Sequence, residues 1–401
     1  MLTTAEARNA ILAAMPVFPS EATPLAAASG RVLRQIVRAE RDQPPFDRVM
    51  MDGIAIRFAD FDGGTRQFPI QAMQAAGDAA LALQPGNCIE IMTGASLPDD
   101  ADCIIPVERI AVESGVVTVD EGYEAALGQF IHPRASDHAV GTHLLNPGKR
   151  ISPLDIAIVA SSGLTEVEVS RRPVIRVIST GNELVPAGQP IAPHQIRLSN
   201  GPALQAMLNA RGYTDCEHEH LVDNVDVLGE RIAAHLDEAD ILILSGGVSM
   251  GQADYVPEVL AELGVNVVFH KVSQRPGKPM WFGVGANNQA VFALPGNPVS
   301  ALVCCRHYVV AALEAASAAT PNAPEFAALA SDIRFEPDLT CFQPVRLLSN
   351  AAGQVLAIPV KTNTSGDFAA LSATDGYVEL DKEKSDFPAG TTVFLHRWQA
   401  G

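Results

Sequence analysis

Apolar runs typical of strands and four-residue apolar repeats typical of helices follow one another over residues 173–319 and predict a β-α-β-α-β order. Val174–Ile178 and Asp240–Leu244 are short and nearly all apolar, as is typical of strands buried on both faces of a sheet, and Val265–Phe269 reads the same way. Between Leu228 and Leu236, leucine or isoleucine recurs every four positions, which indicates an amphipathic helix. Such alternation predicts a mostly parallel sheet with helices on both faces and ligands beyond the carboxyl ends of its strands.

The flanking segments have other patterns. Residues 1 to about 40 are rich in alanine and leucine and predict one or two helices. Ser152 is a predicted helix N-cap, with Pro153 as the first helical residue, and Thr165–Ser170 alternates as a strand. The C-terminal part contains four predicted strands that could close a small barrel: Phe342–Leu348, Val355–Val360, Tyr377–Leu380 and Thr392–His396.

The predicted fold class is multidomain α+β and α/β. A central α/β parallel-sheet domain is combined with a β-rich insertion module, a helical and mixed segment, and a C-terminal small β-barrel. The predicted domains are residues 1–43 with 136–171 (elongated, mixed helix and strand), 44–135 (β-rich), 172–324 (α/β) and 325–401 (barrel).

Composition narrows the classes of partner. The formal net charge of −18 argues against nucleic acid and anionic membrane surfaces. None of the six cysteines forms a C-x-x-C pair, which argues against a zinc site and fits a reducing cytoplasm. The N-terminus lacks the pattern of a signal peptide. The apolar stretch Ala301–Ala319 contains Arg306, His307 and Glu314 and is predicted to be too polar for a membrane span.

Two glycine-rich loops follow predicted strands and could carry chemistry. They are Ser179–Leu184 (STGNEL) and Ser245–Gly251 (SGGVSMG), the second followed by Asp254. Glycines let several backbone N–H groups approach a phosphate, and Glu183 and Asp254 lie where carboxylates would hold Mg²⁺. Neither loop is a Walker A or G-x-G-x-x-G motif, and either alone could be an ordinary connection. The loop residues predicted to bind substrate are Ser179, Gly181, Ser245, Gly246, Gly247, Ser249 and Gly251.

Two further motifs are candidates for oxyanion binding. In Arg275–Pro279 (RPGKP) two prolines stiffen the loop that carries Arg275 and Lys278, although a solvated lysine is the commoner case. Leu294–Ser300 (LPGNPVS) opens a helix whose free N–H groups favour an anion, or it simply caps that helix. Its predicted substrate-binding residues are Pro295, Gly296, Asn297 and Ser300.

The β-rich module contributes weaker signals. Asp52 precedes Gly53 in Pro44–Gly53, a pairing that is common in hairpin turns, and Thr93 lies in Ile91–Ala95. His218 and His220 could bind a metal but more often face solvent. The sequence contains no convincing Ser-His-Asp or Cys-His set.

Taken in order, the motifs PPFD…MDG, IMTGA, STGNEL, SGGVSMGQADY, RPGKP and LPGNPVSA resemble the bacterial molybdopterin molybdenumtransferases (MoeA) and the E domains of homologues such as gephyrin. The resemblance implies a four-part protomer, an elongated homodimer and an α/β domain similar to molybdopterin-binding proteins. It implies that adenylylated molybdopterin and molybdate react with Mg²⁺ to give molybdenum cofactor and AMP. The implied partners are a molybdopterin adenylyltransferase upstream and apo-molybdoenzymes or their chaperones downstream.

The resemblance also implies roles for individual residues. Glu183 and Asp254 match the acidic metal-side positions, and Asp223 matches a third acidic position. Asp52 and Thr93 match positions that reach across the dimer. Further matches are the basic and acidic positions Arg134 and Asp137 and the molybdate-side residues Lys278, Ser300 and Ser365. The implied catalytic residues are Asp52, Glu183, Asp254 and Lys278.

Several positions depart from the family pattern. Arg48-Val49 replaces the usual Asn-Ser, Arg275 replaces lysine, and Ala135 replaces the glycine between Arg134 and Asp137. Leu198 replaces an aspartate, and Pro344 replaces an arginine for which Arg346 could substitute. The departures keep two alternatives open: a paralogue that acts on another oxyanion such as tungstate, and a non-catalytic molybdopterin-binding or scaffold protein.

Overall fold

The computed structural model describes residues 1–247, 255–362, 364 and 366–399. Contacts divide the chain into a larger unit, which comprises Met1–Arg34, Pro147–Ser152 and Glu166–Gly401, and a smaller unit, which comprises Gln35–Asn146 and Pro153–Thr165. The four-domain division stays a prediction. The fold class is confirmed, because the larger unit contains an α/β sheet and a closed five-stranded barrel and the smaller unit is β-rich.

The central sheet of the larger unit has six strands. Their order is Cys216–Leu221, Ile175–Thr180, Ile241–Ser245, Ala290–Leu294, Trp281–Val284 and Asn266–His270. The first four are mutually parallel, and the last two make antiparallel pairings. The helices of this part are Asn200–Asn209, Val225–Glu238, Val256–Glu262, Pro298–Cys304 and Val310–Ala316, with a π-helical segment at Cys305–Val309. The parallel arrangement places the carboxyl ends of four strands at one edge.

The prediction of a fully buried strand at Val265–Phe269 is wrong. Asn266–His270 is the last strand of the sheet and pairs only with Trp281–Val284 among the described strands. Val267 and Val268 are 54% and 41% exposed, so the apolar run here forms an edge strand. Sequence alone does not separate this case from a central strand, because both carry β-branched residues.

The prediction of one or two helices in residues 1–40 is correct for the first helix, but the residues after it do not form a second α-helix. Thr4–Ala14 is a helix with a capping box between Thr3 and Glu6, and it ends as the chain approaches Pro16. Ser20–Pro24 is a strand that pairs with Glu166–Ser170, and Leu25–Ala27 is a short 3₁₀ turn.

The C-terminal barrel consists of five strands in closed order: Thr340–Ser349, Val355–Pro359, Glu325–Leu329, Thr392–Arg397 and Gly376–Leu380, which pairs back with Thr340–Ser349. The two-residue strand Gln274–Arg275 pairs with the first residues of Thr340–Ser349. The larger unit also contains the strand pairs Leu184–Val185 with Ile196–Arg197 and Ile333–Arg334 with Asp386–Phe387, and the short helix Phe368–Leu371.

The smaller unit contains a second six-stranded sheet, in the order Cys103–Pro106, Gly53–Ile56, Cys88–Ile91, Gln67–Gln74, Val116–Val119 and Ile110–Glu113. Shorter strand pairs are Arg48–Val49 with Ile131–His132 and Val37–Arg38 with His143–Leu145. Its helices are Phe58–Asp62 and Pro153–Ser161, with a 3₁₀ turn at Val107–Arg109, and Pro153 is the first helical residue as predicted.

The long apolar helical stretch belongs to the core. Pro298–Ala316 is long and apolar enough to cross a membrane by length and composition alone, but 72% of its most apolar window is buried inside the protein. Cys304 and Cys305 are fully buried there, as the sequence predicted. All six cysteines are buried free thiols.

Candidate functional site

The carboxyl ends of the four parallel strands bring the predicted loops together. Gly246 N–H donates to Leu294 O (3.3 Å), and Gly181 N–H donates to Leu221 O (3.3 Å). The STGNEL loop, the start of the SGGVSMG loop and the LPGNPVS loop therefore lie on neighbouring strands. We call this edge of the sheet the carboxyl edge. Ser249, Gly251 and Asp254 lie outside the described residues, as does Ser365.

Asn200 ties two of these loops to each other. Its side-chain amide donates to Ser245 Oγ (2.9 Å) and to Gly296 O (2.8 Å). No site role was predicted for Asn200 from the sequence, and the structure gives it a positioning role at the carboxyl edge. The Ser-Asn-Gly sequence at the start of the Asn200–Asn209 helix was the signal available in the sequence.

The two glycines after Ser245 have positive φ angles and lie close to neighbouring residues. Gly246 has φ +102°, and a Cβ there would lie 2.6 Å from Thr180 O. Gly247 has φ +66°, and a Cβ there would lie 2.7 Å from Val256 Cγ2 and 2.9 Å from Thr180 Oγ1, both side-chain atoms. At Gly246 the positive φ and the short distance to a backbone oxygen together favour glycine, whereas at Gly247 the positive φ is the main reason. Thr180 Oγ1 is buried and has no hydrogen-bond partner among the described residues, which leaves one polar atom of this edge unsatisfied.

Glu183 lies at the exposed end of the first loop. A Cβ on Gly181 would lie 2.7 Å from Glu183 Oε2, so the carboxylate folds back over Gly181. Asn182 Oδ1 accepts a hydrogen bond from Asp223 N–H (3.1 Å), and this bond places Asp223 beside the same loop. Two acidic residues predicted for the site, Glu183 and Asp223, thus follow adjacent strands.

The two histidines of the Cys216–Leu221 strand support the first loop. His220 Nε2 lies 2.9 Å from Gly181 O, and His218 Nε2 lies 3.0 Å from Ser179 Oγ. Burial lowers the pKa of His218, and the neighbouring His220 lowers it further. Ser179 is 1% exposed, so its hydroxyl is used inside the protein, and any contact of this residue with substrate would come from the backbone.

The lysine loop is held by a buried glutamine. Gln274 Nε2 donates to Pro276 O (3.1 Å) and Gly277 O (3.3 Å), while Tyr308 donates its hydroxyl to Gln274 Oε1. Gly277 has φ +92°, and a Cβ there would lie 2.4 Å from Cys304 Sγ. The predicted stiffness of this loop therefore has a structural cause, and Gln274 is a positioning residue that sequence analysis missed.

The basic side chains of this loop are free to face solvent. Arg275 and Lys278 are exposed, and the Arg275 guanidinium lies 5.9 Å from the centre of the Phe335 ring. Ser300 is 4% exposed, in the first turn of the helix that also carries Cys304. The lysine loop and the Ser300 helix thus pack together. Arg346 is exposed, whereas Pro344, two residues earlier, is buried.

The candidate residues of the smaller unit form a group of their own. Asp52 Oδ1 accepts a hydrogen bond from Thr93 N–H (2.6 Å), which lowers the pKa of the Asp52 carboxyl, and both residues are exposed. Asp52 is thus an ionised side chain held next to Thr93.

Arg134 and Asp137 do not pair with each other. Arg134 Nε lies 2.6 Å from Asp42 Oδ2, and Asp137 Oδ1 lies 3.1 Å from His132 Nε2. The other ring nitrogen of His132 lies 3.0 Å from the guanidinium of Arg48, one of the residues that departs from the family pattern. Arg48 therefore joins a chain of polar contacts through His132 to Asp137.

Ala135, which lies between Arg134 and Asp137 in the sequence, has φ +62°. The left-handed region costs a residue with a Cβ roughly 1 kcal/mol, and glycine avoids this cost while adding freedom to the unfolded chain. We expect Ala135→Gly to raise the free energy of unfolding by about 0.5 kcal/mol, measured by urea denaturation of the whole protein. Ala139→Gly is the matched control, since Ala139 has no positive φ and should lose stability. A loss in both variants would contradict this account.

One further group has the chemistry of a metal site. Ligand atoms of His307, Glu379 and His396 lie within 4.8 Å of one another. Each is also engaged within the protein: His307 Nδ1 lies 3.2 Å from the Tyr377 hydroxyl, and His396 Nε2 lies 3.2 Å from Glu379 Oε2. Burial holds the pKa of His307 well below its usual range, and His396, Arg8 and Arg306 lower it further.

Comparison with known proteins identifies the family. The MoeA N-terminal region (domain I and II) matches residues 2–163, a probable molybdopterin binding domain matches 176–315, and the MoeA C-terminal region (domain IV) matches 327–398. A molybdopterin molybdenumtransferase from Synechocystis sp. is 38% identical over 401 residues, which span 99% of this chain and 100% of that protein. The chain belongs to the MoeA family.

Other MoeA proteins agree over their full lengths. The molybdopterin molybdenumtransferase of Haemophilus influenzae is 31% identical, with 98% of each chain covered. A crystal structure of the MoeA protein from Pyrococcus horikoshii superposes with a TM-score of 0.83 at 27% identity and covers 100% of both chains. The protein is therefore a transferase of molybdenum cofactor biosynthesis with a molybdopterin-related substrate.

Proposed function

We propose that this MoeA protein inserts molybdate into adenylylated molybdopterin and releases AMP. The observation that carries the proposal is the convergence of three glycine-containing loops at the carboxyl edge. There, Gly246 and Gly247 pack closely against Thr180, and Glu183 lies at the neighbouring strand end. Backbone N–H groups can bind phosphate oxygens by themselves, so this part of the site does not need a lysine or arginine side chain.

Mg²⁺ fits the donor set of this edge. Glu183 is an exposed carboxylate, and Asp223 lies beside the same loop, so oxygen ligands of the kind that Mg²⁺ prefers are present. We propose that Glu183, together with Asp254, holds the ion. When bound, Mg²⁺ would neutralise charge on the pyrophosphate-type group whose bond is cleaved.

The chain's own residues would orient the two substrates. The backbone at Gly247 would hold phosphate oxygens, since the Gly246 N–H is bonded to Leu294 O, and Asn200 would fix that loop relative to Gly296. Lys278 and Arg275, exposed on the frame that Gln274 stiffens, would attract the molybdate oxyanion. Arginine in place of the usual lysine keeps the positive charge at position 275 but changes the donor geometry.

We also propose the remaining features implied by the family. A homodimer would let Asp52 and Thr93 of the partner complete the site, and light scattering with size-exclusion chromatography would test the dimer. The expected setting is the cytoplasm, with a molybdopterin adenylyltransferase as the supplier of substrate and apo-molybdoenzymes or their chaperones as recipients.

The decisive experiment follows AMP release by the whole protein from adenylylated molybdopterin. We expect release that requires both molybdate and Mg²⁺ and a product that activates an apo-molybdoenzyme. No AMP release under these conditions would overturn the proposal and favour a non-catalytic molybdopterin-binding protein. Repeating the assay with tungstate in place of molybdate tests which oxyanion the protein uses. AMP release with tungstate but not with molybdate would identify a paralogue that acts on a different oxyanion.

A further inference from the structure

A cavity of about 350 Å³ lies beside the N-terminal helix, Thr4–Ala14. It is lined by residues of this helix, among them Thr4 and Arg8, and by His307 and Glu379. None of its described lining residues belongs to the loops of the carboxyl edge. We call it the helix cavity. Its volume is enough for several water molecules or a small ligand.

Three side chains with metal-binding chemistry meet beside the helix cavity. Ligand atoms of His307, Glu379 and His396 lie within 4.8 Å of one another. Glu379 and His396 come from two antiparallel strands of the barrel, where Glu379 is opposite Phe394 and His396 is opposite Tyr377. Directly opposed residues and every second residue of such strands share one face of the sheet. The barrel therefore presents Glu379 and His396 together, on the face that His307 contacts.

The backbone around His307 is unusual. His307 lies in the π-helical segment Cys305–Val309, and single π-helical turns inside α-helices are rare and frequent at functional sites. The His307 side chain is buried, and its Nδ1 lies 3.2 Å from the Tyr377 hydroxyl. The other ring nitrogen, Nε2, is the one that remains for a ligand. Metal-binding histidines are oriented in this way, by a hydrogen bond at the second ring nitrogen.

The spacing and the protonation of these groups suit a small divalent ion. Glu379 Oε2 and His396 Nε2 lie 3.2 Å apart, about the separation of neighbouring ligands around a tetrahedral ion with bonds of about 2.0 Å. Burial holds the pKa of His307 well below its usual range, so its ring is neutral at neutral pH, as metal binding requires. Because His307 and Glu379 also line the helix cavity, an ion held by them would keep a position open to water.

We propose that His307, Glu379 and His396 form a zinc site whose fourth position faces the helix cavity. Two histidines and one glutamate are a donor set of Zn²⁺ sites that keep one position for water. The proton between His396 Nε2 and Glu379 Oε2 would move to Nδ1 of the same ring when the ion binds, so the imidazole stays neutral. Tyr377 would hold the His307 ring in place through Nδ1. Arg8 lines the same cavity, and its positive charge would oppose the ion.

The test measures Zn²⁺ binding to the whole protein, freed of metal by a chelator, by titration calorimetry, with the visible absorption of bound Co²⁺ as a second readout. Loss of a ligand in His396→Gln or Glu379→Gln should weaken zinc binding at least about 100-fold. Tyr377→Phe removes only the hydroxyl that orients His307 and should weaken it about 10-fold. Arg8→Gln should strengthen zinc binding instead, because it removes a like charge. His143→Gln is the matched control: His143 is an exposed histidine of the smaller unit, and its loss should change nothing.

Two comparisons separate this site from the carboxyl edge. Glu183→Gln should leave the zinc affinity unchanged, and excess Mg²⁺ should not displace the zinc ion, because Mg²⁺ prefers oxygen ligands. A thermal melt of each metal-free variant shows whether it folds, and Glu379→Gln carries the test if His396→Gln does not. Zinc binding weaker than about 100 μM, zinc affinity unchanged in both ligand variants, or zinc affinity lost only in Glu183→Gln would overturn the proposal. The three side chains would then be a hydrogen-bonded contact and no more.

Discussion

Glu183→Gln should lower the rate of AMP release at least about 100-fold while leaving the fold intact. Glutamine keeps the size of the side chain and removes the negative charge that would hold Mg²⁺, and a metal ion supplies several kcal/mol of transition-state stabilisation in such reactions. Glu183 is exposed, and among the described residues its hydrogen bond is made by the backbone carbonyl, which accepts from Ile196 N–H (2.8 Å). Stability should therefore change by less than about 0.5 kcal/mol.

The measurement is kcat for AMP release as a function of Mg²⁺ concentration, alongside a thermal melt. Glu230→Gln removes a carboxylate of the same kind from an exposed position on the Val225–Glu238 helix, and it should keep the full rate. If Glu183→Gln turned over normally at every Mg²⁺ concentration, Glu183 would not be a metal ligand, although the rest of the proposed function could stand.

The architecture of the central domain could be predicted from the sequence because its strands are short, apolar and separated by amphipathic helices. The same pattern placed Glu183 and Gly246 at neighbouring strand ends, since parallel strands must present their carboxyl ends together. The family resemblance added names for substrates and candidate roles, but the geometric expectation came from periodicity and glycine position alone.

Residues that act through contacts between distant segments were not predictable. Gln274 holds the lysine loop through two backbone carbonyls and a buried tyrosine, and nothing in its local sequence distinguishes it from a surface glutamine. Asn200 reads as a helix-capping residue until its contacts with Ser245 and Gly296 are seen.

Gly53→Ala is expected to cause the largest loss of stability, at least about 3 kcal/mol. Gly53 has φ +156°, and a Cβ there would lie 2.0 Å from Ile105 O and 2.9 Å from Val107 N. Both obstacles are backbone atoms. Gly53 is paired with Ile91 on one side and Pro106 on the other, so its strand has no room to withdraw. Overpacking and backbone strain of this kind each cost about 1–3 kcal/mol.

Comparing Gly53→Ala with Gly122→Ala separates the loss of stability caused by the steric clash from the loss caused by the left-handed backbone conformation. Gly122 lies in the same unit with φ +79°, and a Cβ there would meet nothing within 4 Å, so only the left-handed backbone should cost stability, about 1 kcal/mol. Urea denaturation of both variants, followed by circular dichroism, gives the difference. Equal losses would mean that the Gly53–Ile105 contact relaxes freely. A larger loss for Gly53→Ala would show that this glycine fixes the strand next to Asp52, and with it the position of the Asp52–Thr93 pair.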